Sequence, residues 1–217
     1  MTAGVATVAV VMLVGSERTA GTPGVAMQHA AARPACVPAD ARLLAARGEA
    51  GVYRRSGRIT ACNAQRGGFV LDDPPTSRVF LPPVLKIRGN LIAYVEVTDD
   101  TDVEAVDLTL LDLADDAPAR SVQAGGYVKI ASLRLTAGGT VAWIACQTTF
   151  PPELRNGKGT NCYRTGRHAY VAKAVPTGDD LRFTELDRDR TITPSSLRLK
   201  GRTLSWTKAG RRHTARL

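Results

Sequence analysis

Ser132-Leu133-Arg134-Leu135-Thr136-Ala137-Gly138-Gly139-Thr140-Val141-Ala142-Trp143 runs through alternating side chains into a Gly pair and out again, ending on a large ring. Alternation at period two is the mark of a strand, and a Gly pair between two such runs marks a hairpin turn. The same order occurs three more times. Leu44 leads to Gly48 and Tyr53, Leu85 to Gly89 and Tyr94, and Leu197 to Gly201 and Trp206. The leading Leu positions are 41, 48 and 64 residues apart. Self-similarity at such a period is the signature of a repeat architecture.

Working outward, unit one (41–75) predicts strands at 42–46, 51–55, 58–63 and 68–71, with Ser56-Gly57 and Gly67-Gly68 as turns. Pro74-Pro75 and Pro82-Pro83 flank a short apolar strand, 79–81, which proline confines to an edge or an end. Unit two (84–123) predicts strands at 84–88, 91–98 and 103–113, with Asp99, Asp100 and Asp102 in the connecting loop. Unit three has strands at 127–136, 141–147 and 167–175, interrupted by an insertion between Cys146 and Cys162. Without that insertion the last interval returns to the length of the others. Unit four predicts 181–186, 196–199, 203–207 and 212–217. The expectation is an all-β, propeller-like array of about four β-meander repeats, in a closed or open ring.

The 132–143 stretch resembles the strand–turn–strand core of WD40-, TolB- or PQQ-type propeller blades, although the usual acid before the turn Gly is absent. The last repeat, Ser195 to Thr207, is similar to the closing repeat of uncharacterised exported proteins of GC-rich bacteria, as is Cys36 with Cys62 beside the strand Val52-Tyr53-Arg54-Arg55. The resemblance spans most of 36–217. It implies a propeller-like fold and secretion, and no active-site residues.

The apolar run Val5 to Val14 is too short to cross a bilayer and long enough for a signal-peptide core. Small-residue cleavage patterns follow at Gly24-Val25-Ala26 and Ala30-Ala31-Ala32. Residues 1–32 therefore read as a signal peptide or an N-terminal anchor, and 36–217 as the repeat domain of a secreted or cell-envelope protein. The membrane is contacted only if the N-terminal segment stays uncleaved. Cys36, Cys62, Cys146 and Cys162 are even in number, which fits structural disulfides in an oxidising compartment. Three pairings are possible. Cys36–Cys62 and Cys146–Cys162 each join neighbours within one unit and are favoured. The second closes a loop of about 16 residues, worth roughly 3 kcal/mol through chain entropy. No CxxC occurs and the His residues are scattered, which speaks against zinc.

The chain has 217 residues and a formal charge of +9. Acids and bases are interleaved except in the C-terminal run Lys208, Arg211, Arg212, His213 and Arg216. Such a run suits anionic partners without implying sequence-specific nucleic-acid reading. No G-x-S-x-G or HExxH motif is present, and Asn156-Gly157-Lys158-Gly159-Thr160 fails the spacing of a phosphate loop. The acidic group Asp99, Asp100, Asp102, Glu104 and Asp107 lacks calcium-loop spacing. Tyr53, Tyr94, Trp143 and Trp206 recur once per unit, as rings packed between neighbouring sheets do. The binding candidates are Phe150, Leu154, Arg155 and Lys158 of the 147–161 insertion, because insertions in repeat proteins map to loops of one face. These readings assign no catalytic residue, cofactor or metal. They lead to a non-catalytic binding or scaffolding protein for an envelope protein or polymer. The alternatives are a propeller-type enzyme acting on glycan-like substrates and a basic adhesin for anionic polymers.

Overall fold

The computed structural model describes residues 33–72, 77–80, 84–100, 103–115, 118–126, 128–147 and 168–217. The N-terminal segment 1–32, the flanking prolines 74–75 and 82–83, Asp102 and residues 148–167, with Phe150, Leu154, Arg155, Lys158 and Cys162, lie outside the described residues.

The described residues form four antiparallel sheets and no helix. Sheet I is the meander β1 (Arg42–Arg47), β2 (Ala50–Arg55), β3 (Arg58–Asn63) and β4 (Gly67–Asp72). Sheet II has β5 (Ser77–Phe80), β6 (Lys86–Arg88), β7 (Leu91–Asp100), β8 (Val103–Asp112) and β9 (Arg120–Gly126). Sheet III is the meander β10 (Val128–Leu135), β11 (Val141–Gln147), β12 (Ala169–Thr177) and β13 (Asp180–Asp189). Sheet IV holds β14 (Arg198–Lys200), β15 (Thr203–Lys208) and β16 (Arg211–Arg216).

The first hairpin of each sheet turns on the repeated Gly. Arg47 pairs with Ala50 across Gly48, Arg88 with Leu91 across Gly89, and Lys200 with Thr203 across Gly201. In sheet III the turn is longer. Leu135 pairs with Val141, and Thr136 closes the loop by exchanging hydrogen bonds with Thr140. All four of these glycines, with Gly139 in sheet III, have positive φ, which only Gly adopts without steric cost.

Three expectations change. The acids Asp99 and Asp100 belong to β7, where they pair with Glu104 and Val103, so the ladder runs further than the charge suggested. β9 lies where the sequence pattern predicts no strand; its residues, RSVQAGG, have little apolar alternation, as suits an edge strand. Residues 181–186 belong to sheet III and not to the fourth unit, because Thr177 pairs with Asp180 across Gly178 and holds β13 on β12. The short strand between the prolines is β5, which shares one edge of β7 with β6, as expected for an edge strand.

Period-two alternation gives the middle sheets two apolar faces, and these stack the sheets in series. Val52, Ile59 and Ala61 of sheet I meet Leu85, Ile92, Tyr94 and Leu111 of sheet II. The other face of sheet II, with Val95, Val106 and Leu108, meets Leu133, Val141, Trp143 and Ala172 of sheet III. The other face of sheet III, with Ala142, Ile144 and Val171, meets Leu197, Leu204 and Trp206. A register shift between Ile130 and Ser132 lets β10 serve both sides: Ile130 and Leu133 face sheet II, whereas Ser132 donates to the Pro194 carbonyl at 2.9 Å. Burying each large aliphatic side chain contributes about 1.5–3 kcal/mol.

The recurring rings follow this order. Trp143 faces sheet II, Tyr94 faces sheet I and Trp206 faces sheet III, so each packs against the preceding sheet. Tyr53 instead meets the segment before β1, where Val37 and Ala41 cover sheet I. That segment is tied down by the Cys36–Cys62 disulfide. Cys146 is also disulfide-bonded, and its expected partner Cys162 lies outside the described residues. Among the described residues, no apolar cluster joins sheet IV back to sheet I and no closed ring or barrel is formed.

Candidate functional surface

Sheet IV ends the series, so among the described residues one of its faces has no further sheet to cover it. From Thr191 to Leu217 the chain carries Arg198, Lys200, Arg202, Lys208, Arg211, Arg212 and Arg216, and neither Asp nor Glu. Strand alternation sorts these charges. Leu199, Leu204 and Ala215 lie on the inward side with Trp206 and His213, whose rings stack at 6.0 Å. On the outward side Arg198 stands opposite Ser205, which stands opposite Thr214. Lys200 stands opposite Thr203, which stands opposite Arg216, and Thr207 opposite Arg212. The outer face therefore presents Arg and Lys among hydroxyl groups. Arg198, Lys200, Arg212 and Arg216 are exposed and form no ion pair with any described residue. Arg212 donates to the Ser205 hydroxyl at 3.3 Å, which lays its guanidinium across the sheet.

The basic run read from the sequence is divided by this geometry. Arg212 and Arg216 share the outer face, whereas His213 points inward onto Trp206. Lys208 is neutralised: its ammonium lies 2.7 Å from Asp187 and 3.5 Å from Asp189. The hydrogen bond and charge of Asp187 raise the Lys208 pKa, against desolvation and with further help from Asp189. Arg198 and Lys200 were not among the sequence candidates. They join Arg212 and Arg216 because β15 lies between β14 and β16. The signal available in the sequence was the lack of any acid after Asp189. The insertion residues Phe150, Leu154, Arg155 and Lys158 are outside the described residues, so their relation to this face is not part of its geometry.

Chemically, the face can donate hydrogen bonds and attract anions across an extended surface. Its guanidinium groups suit planar or tetrahedral oxyanions, and the spacing of alternate residues along a strand suits a repeating charge. No protein family, curated protein or solved structure compared with the chain matches it.

Proposed function

We propose that this chain is an exported, non-catalytic binding domain whose outer sheet IV face docks an anionic polymer of the cell envelope or its surroundings. The fold would be an open, propeller-like series of four sheets, with sheet IV as its end cap. The observation that carries the reading is the outward register of Arg198, Lys200, Arg212 and Arg216 on a sheet that contains no carboxylate. A terminal repeat needs a polar outer face for solubility, but mixed charge would serve that need equally well. Charge of one sign adds long-range attraction for a polyanion. The disulfide-bonded Cys36, Cys62 and Cys146 are compatible with an oxidising compartment, which supports export.

The test is retention of the full chain on immobilised polyphosphate at increasing sodium chloride. The expected result is binding that weakens steeply with salt and falls about tenfold or more in the double variant R212Q/R216Q. Equal retention of parent and variant would overturn the proposal.

A further inference from the structure

The strands that lead into the Gly turns of sheets I, II and III lie side by side. β6 touches both β1 and β10, and β10 reaches the segment leading into β14 through hydrogen bonds. This alignment gathers cations from three sheets. Arg134 of β10 donates through Nη1 to its neighbour's Leu133 carbonyl at 2.7 Å and through Nη2 to the Leu197 carbonyl at 2.6 Å. Arg198 of β14 donates through Nη1 to the same Leu197 oxygen at 3.0 Å, and to the Ser195 carbonyl at 3.0 Å. Two guanidinium groups thus share one acceptor. Arg88 of β6 donates to the Leu135 carbonyl at 3.4 Å, next to Arg134 along β10.

The Lys86 side chain, also on β6, is partly buried and makes no hydrogen bond or ion pair with any described residue. Its surroundings oppose its charge. Burial, and then the Arg134 guanidinium, push the Lys86 pKa down; burial, and then Arg198, do the same to Arg134. No carboxylate of the described residues is paired with Lys86, Arg134 or Arg198. Like charges held together in a partly desolvated setting repel, and an anion between them would offset that cost. Toward the described residues the Lys86 ammonium keeps its N–H donors free, and the two guanidinium groups keep those not given to carbonyls.

We propose that Lys86, Arg134 and Arg198 form a discrete binding site for a tetrahedral oxyanion of the phosphate class, at the junction of sheets II, III and IV. The site is separate from the outer face of sheet IV except that Arg198 stands at the rim of both. It does not depend on the polymer-docking reading. The anion is either free phosphate or a phosphoryl group carried on a larger molecule.

The experiment uses the full chain, titrated calorimetrically with inorganic phosphate and, in a second arm, with methyl phosphate, at constant ionic strength. Saturable binding of one anion per chain is expected, with a rise of the unfolding midpoint of at least about 2 °C beyond that given by matched sodium chloride. A preference for the ester would point to a carried phosphoryl group, and a preference for the free anion to phosphate itself; both support the site. The variant K86M is expected to fold with an unchanged or higher midpoint and to bind about tenfold or more weakly. R134Q removes a bridge between two sheets and could fail to fold, so K86M is the deciding variant. R212Q/R216Q should bind phosphate as the parent does, which separates this site from polymer docking. Absence of saturable binding of both anions, or equal affinity in K86M and the parent, would overturn the proposal.

Discussion

The indole Nε1 of Trp206 donates a 2.9 Å hydrogen bond to Oδ2 of Asp187, tying the ring of the last repeat to the edge strand of the sheet before it. The other carboxylate oxygen accepts from Lys208 at 2.7 Å. One side chain of β13 thus holds two residues of β15, and the described residues give sheet IV three strands with which to resist peeling away.

Asp187→Ala leaves the largely buried indole N–H without its acceptor and the Lys208 ammonium without its nearest anion. It should destabilise the protein by about 1–3 kcal/mol. W206F loses the donor and also trims the buried indole to a smaller ring, so it should cost more, about 2–4 kcal/mol. Urea unfolding of both variants, followed by circular dichroism, checks the order. Equal stability of D187A and the parent would show that the contact contributes nothing.

The same carboxyl sets an acid response. Burial opposes its ionisation, but hydrogen bonds from Lys208 and Trp206, the Lys208 charge and the Arg188 amide together hold the Asp187 pKa below the usual carboxylate value. A lowered folded pKa stabilises above the unfolded value of about 4, and the stabilisation is lost as pH falls through the folded value. The urea midpoint of the parent should therefore decline below about pH 4. In D187N that decline should be shallower, which midpoints measured from pH 2 to pH 7 would show.

Tyr94 governs the alkaline side. Burial, and then the Glu96 charge, push its pKa up to about 12, against a smaller lowering by the neighbouring Thr109 hydroxyl. Between the ordinary value of about 10 and this raised one, the unfolded chain ionises while the folded chain does not, so stability falls as pH rises. Y94F should lose that part of the alkaline decline. Absorbance titration near 295 nm should show one tyrosine of the parent ionising only near pH 12 or on unfolding.

Gly138 and Gly139 are adjacent in one turn but differ in their surroundings. A Cβ on Gly139 would lie 3.0 Å from Pro176 Cγ and 3.2 Å from Leu110 Cδ2, at a φ of +80°. A Cβ on Gly138 would meet nothing within 4 Å. G139A should therefore cost about 1–3 kcal/mol, and G138A about 1 kcal/mol or less in either direction. Thermal unfolding of the two variants decides between them.

The Cys36–Cys62 bond spans 26 residues and closes the segment that covers sheet I. The double variant C36S/C62S should lose about 3–4 kcal/mol through the larger entropy of its unfolded chain. Its first effect should be faster hydrogen exchange in β2 and β3, the strands that Tyr53 and Cys62 occupy.

Local features of the chain were legible where a short stretch carries its own instruction. The Gly turn after each leading Leu, the alternation of Leu133, Leu135, Val141 and Trp143, and the pairing of Cys36 with Cys62 all rest on near neighbours. Strand membership was less legible. The stretch 181–186 looks like the start of a new unit because it follows Pro176 and Gly178, yet a hairpin across Gly178 returns it to β12. β9 has no apolar rhythm to announce it, since its place is the edge beside β8. The basic run at the C-terminus was visible as charge, but not as a surface.

Alternation, turn glycines and cysteine number are properties of contiguous residues, so the sequence alone determined an all-β repeat chain with ring-bearing second strands. Which charges share a face depends on which strands lie side by side, and that is settled by long-range pairing. Only the tertiary structure placed Arg198 and Lys200 with Arg212 and Arg216, turned His213 and Lys208 away from them, and brought Arg88, Arg134 and Arg198 from three sheets onto the carbonyls of Leu135 and Leu197. The physical reason is that the hydrophobic faces choose the stacking, and the charges are carried to wherever the remaining faces and edges meet.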